Sequence, residues 1–457
     1  MTDIEANKYD PSLSINRSGG IKILGTPVGS TNFCEAVISD RIKKIKSLIE
    51  TSCELNNSQL EFILLKNCLG LPKFSYNLRT YNFLTSVHLL TEFDNMVLNR
   101  LADLLAHTFN PSSPTWIQAS LPLTSSGLGI TLATDIASIA YLSSYVDSKP
   151  LQDTLITNTP DIDLSNNIIN FDHKSDISFD LIIESTAFNT TRSTQNILFQ
   201  EIVKKKYNQL LELSINPTDK ARILSCTGKY NGAWLDVVPL PSLGLALTTS
   251  EFSRATCLRL GLTQTNANSL CQMCFKHEMD ALGNHALNCK HGSERIGRHD
   301  KISDIIFLQC QKALLHPTSE SRCDHTSQNR SDIEIPNWID GKTALLDIGI
   351  TNPTCQSNLS NAAITPGYAI EKYETAKLLK YQDICENESK ICIPIISETF
   401  GKWSTTAIKT LKRITKFIAQ KNDEQLGSSF TQLMQRLSLS VQKSNVHMIS
   451  CRIRTPS

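Results

Sequence analysis

Asp332-Ile-Glu-Ile-Pro-Asn-Trp-Ile-Asp-Gly-Lys-Thr-Ala-Leu-Leu-Asp347 is the stretch from which the rest of the chain is read. Two β-prone runs flank Asp340-Gly341, a dipeptide that readily takes the positive φ angles of a two-residue hairpin turn. With these two residues at the centre of the turn, Asp347 sits opposite Glu334 and diagonal to Asp332, so all three carboxylates share one face. Clustered carboxylates repel one another, and a divalent cation that takes oxygen ligands removes the repulsion. The face therefore reads as a Mg2+ site; the alternative is that one carboxylate points to solvent at a strand edge.

Outward from the hairpin the pattern is α-β-β-α-β-α. Asp300 is a candidate N-cap for a helix with Ile302, Ile305, Ile306, Cys310, Ala313 and Leu314 on one face; Pro317 ends it and Glu320 follows. A second helix is expected over 369–385, with Glu374, Lys377 and either Lys380 or Tyr381 recurring at three- and four-residue spacing. A lysine there could orient or deprotonate a metal-bound water, and by itself the stripe equally describes a solvated charged face. A core strand over 391–396 leads to a helix over 404–420 with Ile408, Leu411, Ile414 and Ile418 as its buried stripe. Lys409, Lys412, Arg413 and Lys416 lie off that stripe, a basic face that suits a phosphate backbone or plain solvation.

Upstream, Cys271-Gln-Met-Cys274 and His285-Ala-Leu-Asn-Cys289 give C-x2-C-x10-H-x3-C, two close pairs of soft ligands across a loop. Tetrahedral zinc needs this arrangement, and with four protein ligands the site is structural. His277, His291 and His299 lie near enough in sequence to leave the fourth ligand open. Arg295, Arg298 and His299 follow the cluster and face either phosphates or their own helix caps and ion pairs.

The chain of 457 residues is long enough for about three domains. With 40% hydrophobic and 19% charged residues it is neither fibrous nor wholly disordered. No apolar run approaches a membrane span and the acidic, polar N-terminus lacks a secretory layout, so an intracellular location is expected. Cysteines such as Cys34, Cys68, Cys310 and Cys385 then read as reduced core thiols. A net charge of +1 argues against polyanion binding by the whole surface. Charge is uneven, however: residues 151–186 hold seven acids against Lys174, whereas 402–457 hold ten basic residues against Asp423 and Glu424. The expected organisation is a flexible tail (1–20), an α-rich region (21–150), an acidic polar insertion (151–190), a helical linker (191–270), the zinc module (271–299), an α/β domain (300–425) and a basic C-terminal tail (426–457). No repeat of fixed period occurs.

In this order the residues resemble a family: the C-terminal part of non-LTR retrotransposon proteins that carry a restriction-like endonuclease. The resemblance covers most of the chain. Ile23-Leu-Gly-Thr-Pro-Val-Gly29 resembles the last reverse-transcriptase motif, the primer grip, and Leu121-Pro-Leu-Thr-Ser-Ser-Gly-Leu-Gly-Ile130 a segment that follows the polymerase thumb. Gly232-Ala-Trp-Leu235 and Gly283-Asn-His-Ala-Leu287 are similar to the family's linker and zinc regions. The resemblance implies a thumb- and linker-like N-terminal half and a C-terminal PD-(D/E)XK fold. Arg330-Ser-Asp332, with 14 residues before Asp347, is similar to its acidic motif. Asp332 and Asp347 are then metal ligands, Glu320 a supporting acid, and Lys377 or Lys380 the lysine, with Tyr381 adjacent. Ser331 replaces the usual proline, and Gly349 stands where ordinary restriction-type sites place their lysine. The sequence has no Tyr-x-Asp-Asp, so it is not expected to synthesise DNA.

The resemblance thus implies a Mg2+-dependent endonuclease that nicks DNA to prime reverse transcription, acting in the nucleus on DNA and the element's RNA. The alternatives are a domesticated zinc-containing nucleic-acid-binding remnant without chemistry, and a helical scaffold with an incidental zinc staple. The basic faces and zinc module are common to the first two; only the carboxylates separate them.

Overall fold

The computed structural model describes residues 19–155, 162–186, 193–264, 269–321 and 330–453. Most of the expected tail over 1–20, parts of the acidic insertion and the last four residues, with Arg454, lie outside the described residues. The chain is helix-rich with a small mixed sheet, and its contacts divide it into two units. No described helix is long and apolar enough to cross a membrane.

The first unit takes residues up to 56, 61–109 and 130–206. It opens with a hairpin, β1 (Gly20–Ile23) and β2 (Thr26–Gly29), and continues through α1 (Thr31–Thr51), α2 (Ser58–Leu64), whose first residues are counted with the second unit, α3 (Leu71–Thr80) and α4 (Val87–Leu105). Asn57 accepts the Leu60 N–H at 3.0 Å as a cap of α2, and Gly70 closes the π-helical turn that follows it. Phe74 stacks on Phe93 with ring centroids 4.7 Å apart, joining α3 to α4. A short helix, α5 (Pro114–Ser120), lies in the stretch assigned to the second unit; α6 (Ala133–Leu155) returns to the first. Asp94 receives the Ala133 and Thr134 amides at 2.7 and 3.0 Å and caps α6. The described part of the acidic stretch is helical and mostly exposed or half-buried. It forms α7 (Ser165–Lys174) and α8 (Phe179–Thr186), which bury Phe171, Phe179 and Ile182, because aromatic and β-branched residues at helical spacing override the net charge.

The second unit takes 57–60, 110–129 and everything from 207. The segment 121–130, expected beside the thumb-like helices, therefore belongs mostly here. The chain reaches the unit through α9 (Thr194–Leu213), followed by α10 (Pro217–Ser225) and α11 (Thr249–Leu260). Arg259, 3% exposed on α11, donates to the carbonyls of Gly127, Leu123, Asn231 and Cys226 at 3.0–3.3 Å. A buried guanidinium has to be met by acceptors, and these carbonyls draw the segments together. After α12 (Asn284–Asn288) comes α13 (Glu294–Lys312), capped in sequence by Ser293 and not by Asp300, which lies inside it. The boundary expected at 299/300 thus falls within one helix.

The sheet runs β3 (Thr318–Ser319), β4 (Ile333–Ile339), β5 (Lys342–Thr351) and β6 (Lys390–Glu398), antiparallel except for the parallel β5–β6 pair. The parallel crossover carries α14 (Leu359–Ala362) and α15 (Tyr368–Asn387). Pro394 is tolerated because β6 is an edge strand. On one face Ile333, Ile335, Ala344, Leu346, Ile348, Ile393 and Ile395 pack with α13, α16 (Thr405–Asn422) and α17 (Leu426–Ser450); on the other Leu345 and Cys392 pack with Tyr381 and Ile384 of α15. The expected basic tail is thus a core helix: Phe430, Leu433, Met434, Leu437 and Val441 are buried, and Lys443 and Arg452 bond to the carbonyls of Ala246 and His291. Charge counting missed this because the apolar stripe of α17 runs between its few cations. The described cysteines carry no disulfide; Cys34 and Cys310 are core thiols as expected, whereas Cys68 is exposed and Cys385 half-buried.

Candidate carboxylate and metal sites

Asp340 and Gly341 have φ angles of +50° and +76°, and Ile339 pairs with Lys342, the turn expected from the sequence. The register then slips. Ile335 pairs with Ala344 and Ile333 with Leu346, leaving Pro336, Asn337 and Trp338 bulged against Thr343. Pro336 has no N–H to give the ladder, and Asn337 takes φ +51°. One pair further along this register, Asp347 faces Asp332 and not Glu334. The Ile348 N–H confirms the approach, donating to Asp332 Oδ2 at 2.6 Å. Glu334 instead reaches towards Lys390, 3.9 Å away, so the expected three-carboxylate face is a pair.

The two aspartates differ in surroundings. Asp347 is 3% exposed, with Lys377 Nζ at 2.7 Å from Oδ1 and Lys380 Nζ at 3.8 Å from Oδ2. Its Oδ2 is buried and accepts no hydrogen bond. Burial pushes this carboxyl above the usual carboxylate range, Lys377 pulls it down, and Asp332 pushes it up again. At Asp332 burial also raises the carboxyl, but His299 and the Ile348 amide outweigh it and hold the group low. His299 Nε2 lies 3.2 Å from Asp332 Oδ2 and Nδ1 lies 3.0 Å from Asp300, and chiefly through Asp332 the imidazole is raised to about 9. His299, for which the sequence leaves phosphate contact and ion pairing both open, makes ion pairs and is part of the carboxylate site. The available signal was its position three residues before Ile302, at the end of the buried stripe of α13.

Helix α15 brings its lysines in because Gly349 lets it approach: a Cβ there would lie 2.5 Å from the ring of Tyr373. Tyr381 is fully buried and donates to the Arg330 carbonyl at 2.6 Å while accepting from Lys380 at 2.9 Å, tying α15 to the residue two before Asp332. One turn before Lys377, Glu374 has a buried Oε1 without a hydrogen-bond partner. Glu320 does not join the site. Its side chain is 80% exposed and meets Arg330 at 3.9 Å.

In the second site one ligand atom from each of Cys271, Cys274, His285 and Cys289 lies within 4.8 Å of the others. Cys271 and Cys289 Sγ are 4.0 Å apart, and Cys274 Sγ is 3.4 Å from His285 Nε2. The edges of a zinc tetrahedron are about 3.8 Å for S···S and about 3.6 Å for S···N, so the cluster could hold Zn2+ with His285 as fourth ligand. His277 only neighbours it, ring centroid 5.3 Å from that of His285, and His299 belongs elsewhere. Asp280 fixes the loop, accepting the amides of Leu282, Asn284 and His285 at 2.7–3.2 Å. Burial lowers the His285 pKa, keeping the ring neutral as a ligand must be.

Of the remaining basic candidates, Arg298 is buried and donates to Asn445 at 2.7 Å, so it braces α13 against α17. Arg413 lies over the Trp338 ring at 4.6 Å and donates to its carbonyl at 2.8 Å. Arg295, Lys409, Lys412 and Lys416 are exposed. No protein-family model matches the chain, and no curated protein does.

Proposed function

We propose that the second unit is a metal-dependent DNA endonuclease of the PD-(D/E)XK type, the C-terminal part of a non-LTR retrotransposon protein working in the nucleus. The observation that carries this reading is the buried, hydrogen-bond-free Oδ2 of Asp347, set beside Asp332 and two lysines. A buried carboxylate oxygen that accepts no hydrogen bond, and whose nearest lysine, Lys380, stands 3.8 Å off, suits a cation. Asp332 and Asp347 would hold Mg2+, which when bound polarises the phosphate and activates the attacking water. Lys377 is charged: burial alone would depress it, but Asp347 holds it above the ordinary lysine value. It orients the water and meets charge developing on the phosphate oxygens. A bond from water oxygen to phosphorus forms and the bond to the 3′ oxygen breaks, leaving a 3′ hydroxyl. Lys380 and Tyr381 position α15. The lysine arrives from a helix because Tyr373 occupies the space above Gly349.

The test is nicking of supercoiled plasmid by the full chain in Mg2+, beside Asp332→Ala, Asp347→Ala and Lys377→Ala proteins of equal zinc content. Nicking that vanishes in both aspartate variants supports the reading. DNA binding without nicking in any divalent metal would leave the second reading, a zinc-containing binding remnant, which the hold of His299 on Asp332 favours.

A further inference from the structure

Beside the carboxylate pair, the zinc module, the first turns of α13 and α15 and the loop after β5 enclose a cleft of about 460 Å3. Its charge has one sign. Lys290, Arg295, Arg298 and Lys372 line it, and among the described residues no aspartate or glutamate does. Burial, with Arg295 and Arg452 nearby, pulls the Arg298 guanidinium down to about 10.

Two lining side chains have donors left over. Arg298 is 4% exposed and its Nη1 goes to Asn445, but its buried Nε meets no acceptor. Asn352 is 6% exposed; its Oδ1 accepts the Thr354 amide and hydroxyl at 3.0 and 2.9 Å, and its buried Nδ2 is unpartnered. A buried donor without an acceptor is unfavourable, and a ligand that brings an acceptor removes that cost. A ligand that is all acceptor oxygen and negative charge answers both the donors and the cations, and phosphate is that ligand.

Tyr373 is the link between the cleft and the carboxylate site. It lines the cleft, and Lys377 Nζ, the partner of Asp347, lies 5.2 Å from the centre of the Tyr373 ring. The opposite wall is tied to the cysteine cluster: Lys290 follows Cys289, and Asn284 Oδ1 lies 2.9 Å from the Thr354 hydroxyl oxygen.

We infer that this cleft is a phosphate subsite that holds a phosphodiester of a bound nucleic-acid strand, next to the one presented to Asp332 and Asp347. The neighbouring phosphate rests on the endonuclease reading; the nucleic-acid phosphate itself does not. Lys290 and Arg295 are exposed, so Lys290→Ala and Arg295→Ala should fold.

The measurement is the affinity of the full chain for a short labelled DNA duplex across a salt series without Mg2+, with Lys43→Ala in the first unit as control, beside calorimetric titration with orthophosphate. Each cleft variant should weaken binding by about three- to tenfold and flatten the slope of log affinity against log salt by about one, the control doing neither. Unchanged affinity and slope overturn the subsite even if the chain nicks DNA. Orthophosphate binding lost in the variants with DNA affinity intact also overturns it, making the cleft a free-anion site. A chain that never nicks but shows the predicted slopes keeps the subsite and loses the endonuclease.

Discussion

Gly349 and Tyr373 share one space: the strand residue carries no side chain, and the helix residue's ring fills the volume a Cβ would need, 2.5 Å away. This contact decides where the lysines stand. Gly349→Ala forces α15 outward and draws Lys377 from Asp347. The expected outcome is a loss of about 1–3 kcal/mol in urea unfolding together with loss of plasmid nicking. Restoring volume with Tyr373→Ala in the same protein should recover part of the stability.

The Asp347–Lys377 pair is largely buried, with side chains 4% and 16% exposed. Removing either partner alone strands a charge in a poorly solvated site. A double-mutant cycle with Asp347→Asn and Lys377→Met should give a coupling energy of about 1–3 kcal/mol in chemical unfolding. A coupling near zero would mean that the two are not paired in solution.

Glu398 contributes a pH dependence around neutrality. It is 1% exposed at the end of β6, and burial, only partly opposed by Ser225 and Lys402, raises its pKa to about 7 from 4.5. Its folded-state value is above its unfolded one, so its contribution is fully present below pH 4.5 and is lost as pH rises through about 7. The loss is roughly 3 kcal/mol by the linkage relation. Glu398→Gln should remove that slope and leave the protein more stable than the parent at pH 8. Parallel stability curves for the two proteins would show that Glu398 does not titrate as described.

One zinc per chain is expected by elemental analysis, falling to none in Cys274→Ser. Because the cluster packs with Cys226, Phe400 and Ile449, its loss should lower the thermal midpoint of the second unit's unfolding and not only unfold a loop. Unchanged melting after complete zinc removal would contradict this.

On α16, Arg413 and the exposed lysines should separate. Arg413→Ala loses the Trp338 stacking and a 2.8 Å hydrogen bond, for about 1–2 kcal/mol of stability. Lys409→Ala, Lys412→Ala and Lys416→Ala should stay within about 0.5 kcal/mol of the parent while weakening DNA binding at low salt.

What the sequence determined by itself was local: the Asp340-Gly341 turn, the amphipathic helices and the cysteine and histidine spacing. In each of these the residues that interact are neighbours along the chain, so backbone preference and spacing suffice. Tertiary structure alone decided which carboxylate faces Asp347, because the bulge at Pro336–Trp338 shifts the ladder and only packing reveals where such a shift falls. It also decided the roles of the cations. Arg298, Arg413 and Arg452 look like surface charge in sequence, but each is drawn to acceptors on distant segments. His299 meets Asp332 for the same reason: α13 starts before the zinc-module boundary drawn from composition, and its continuous turn carries the imidazole to the residue that precedes β4.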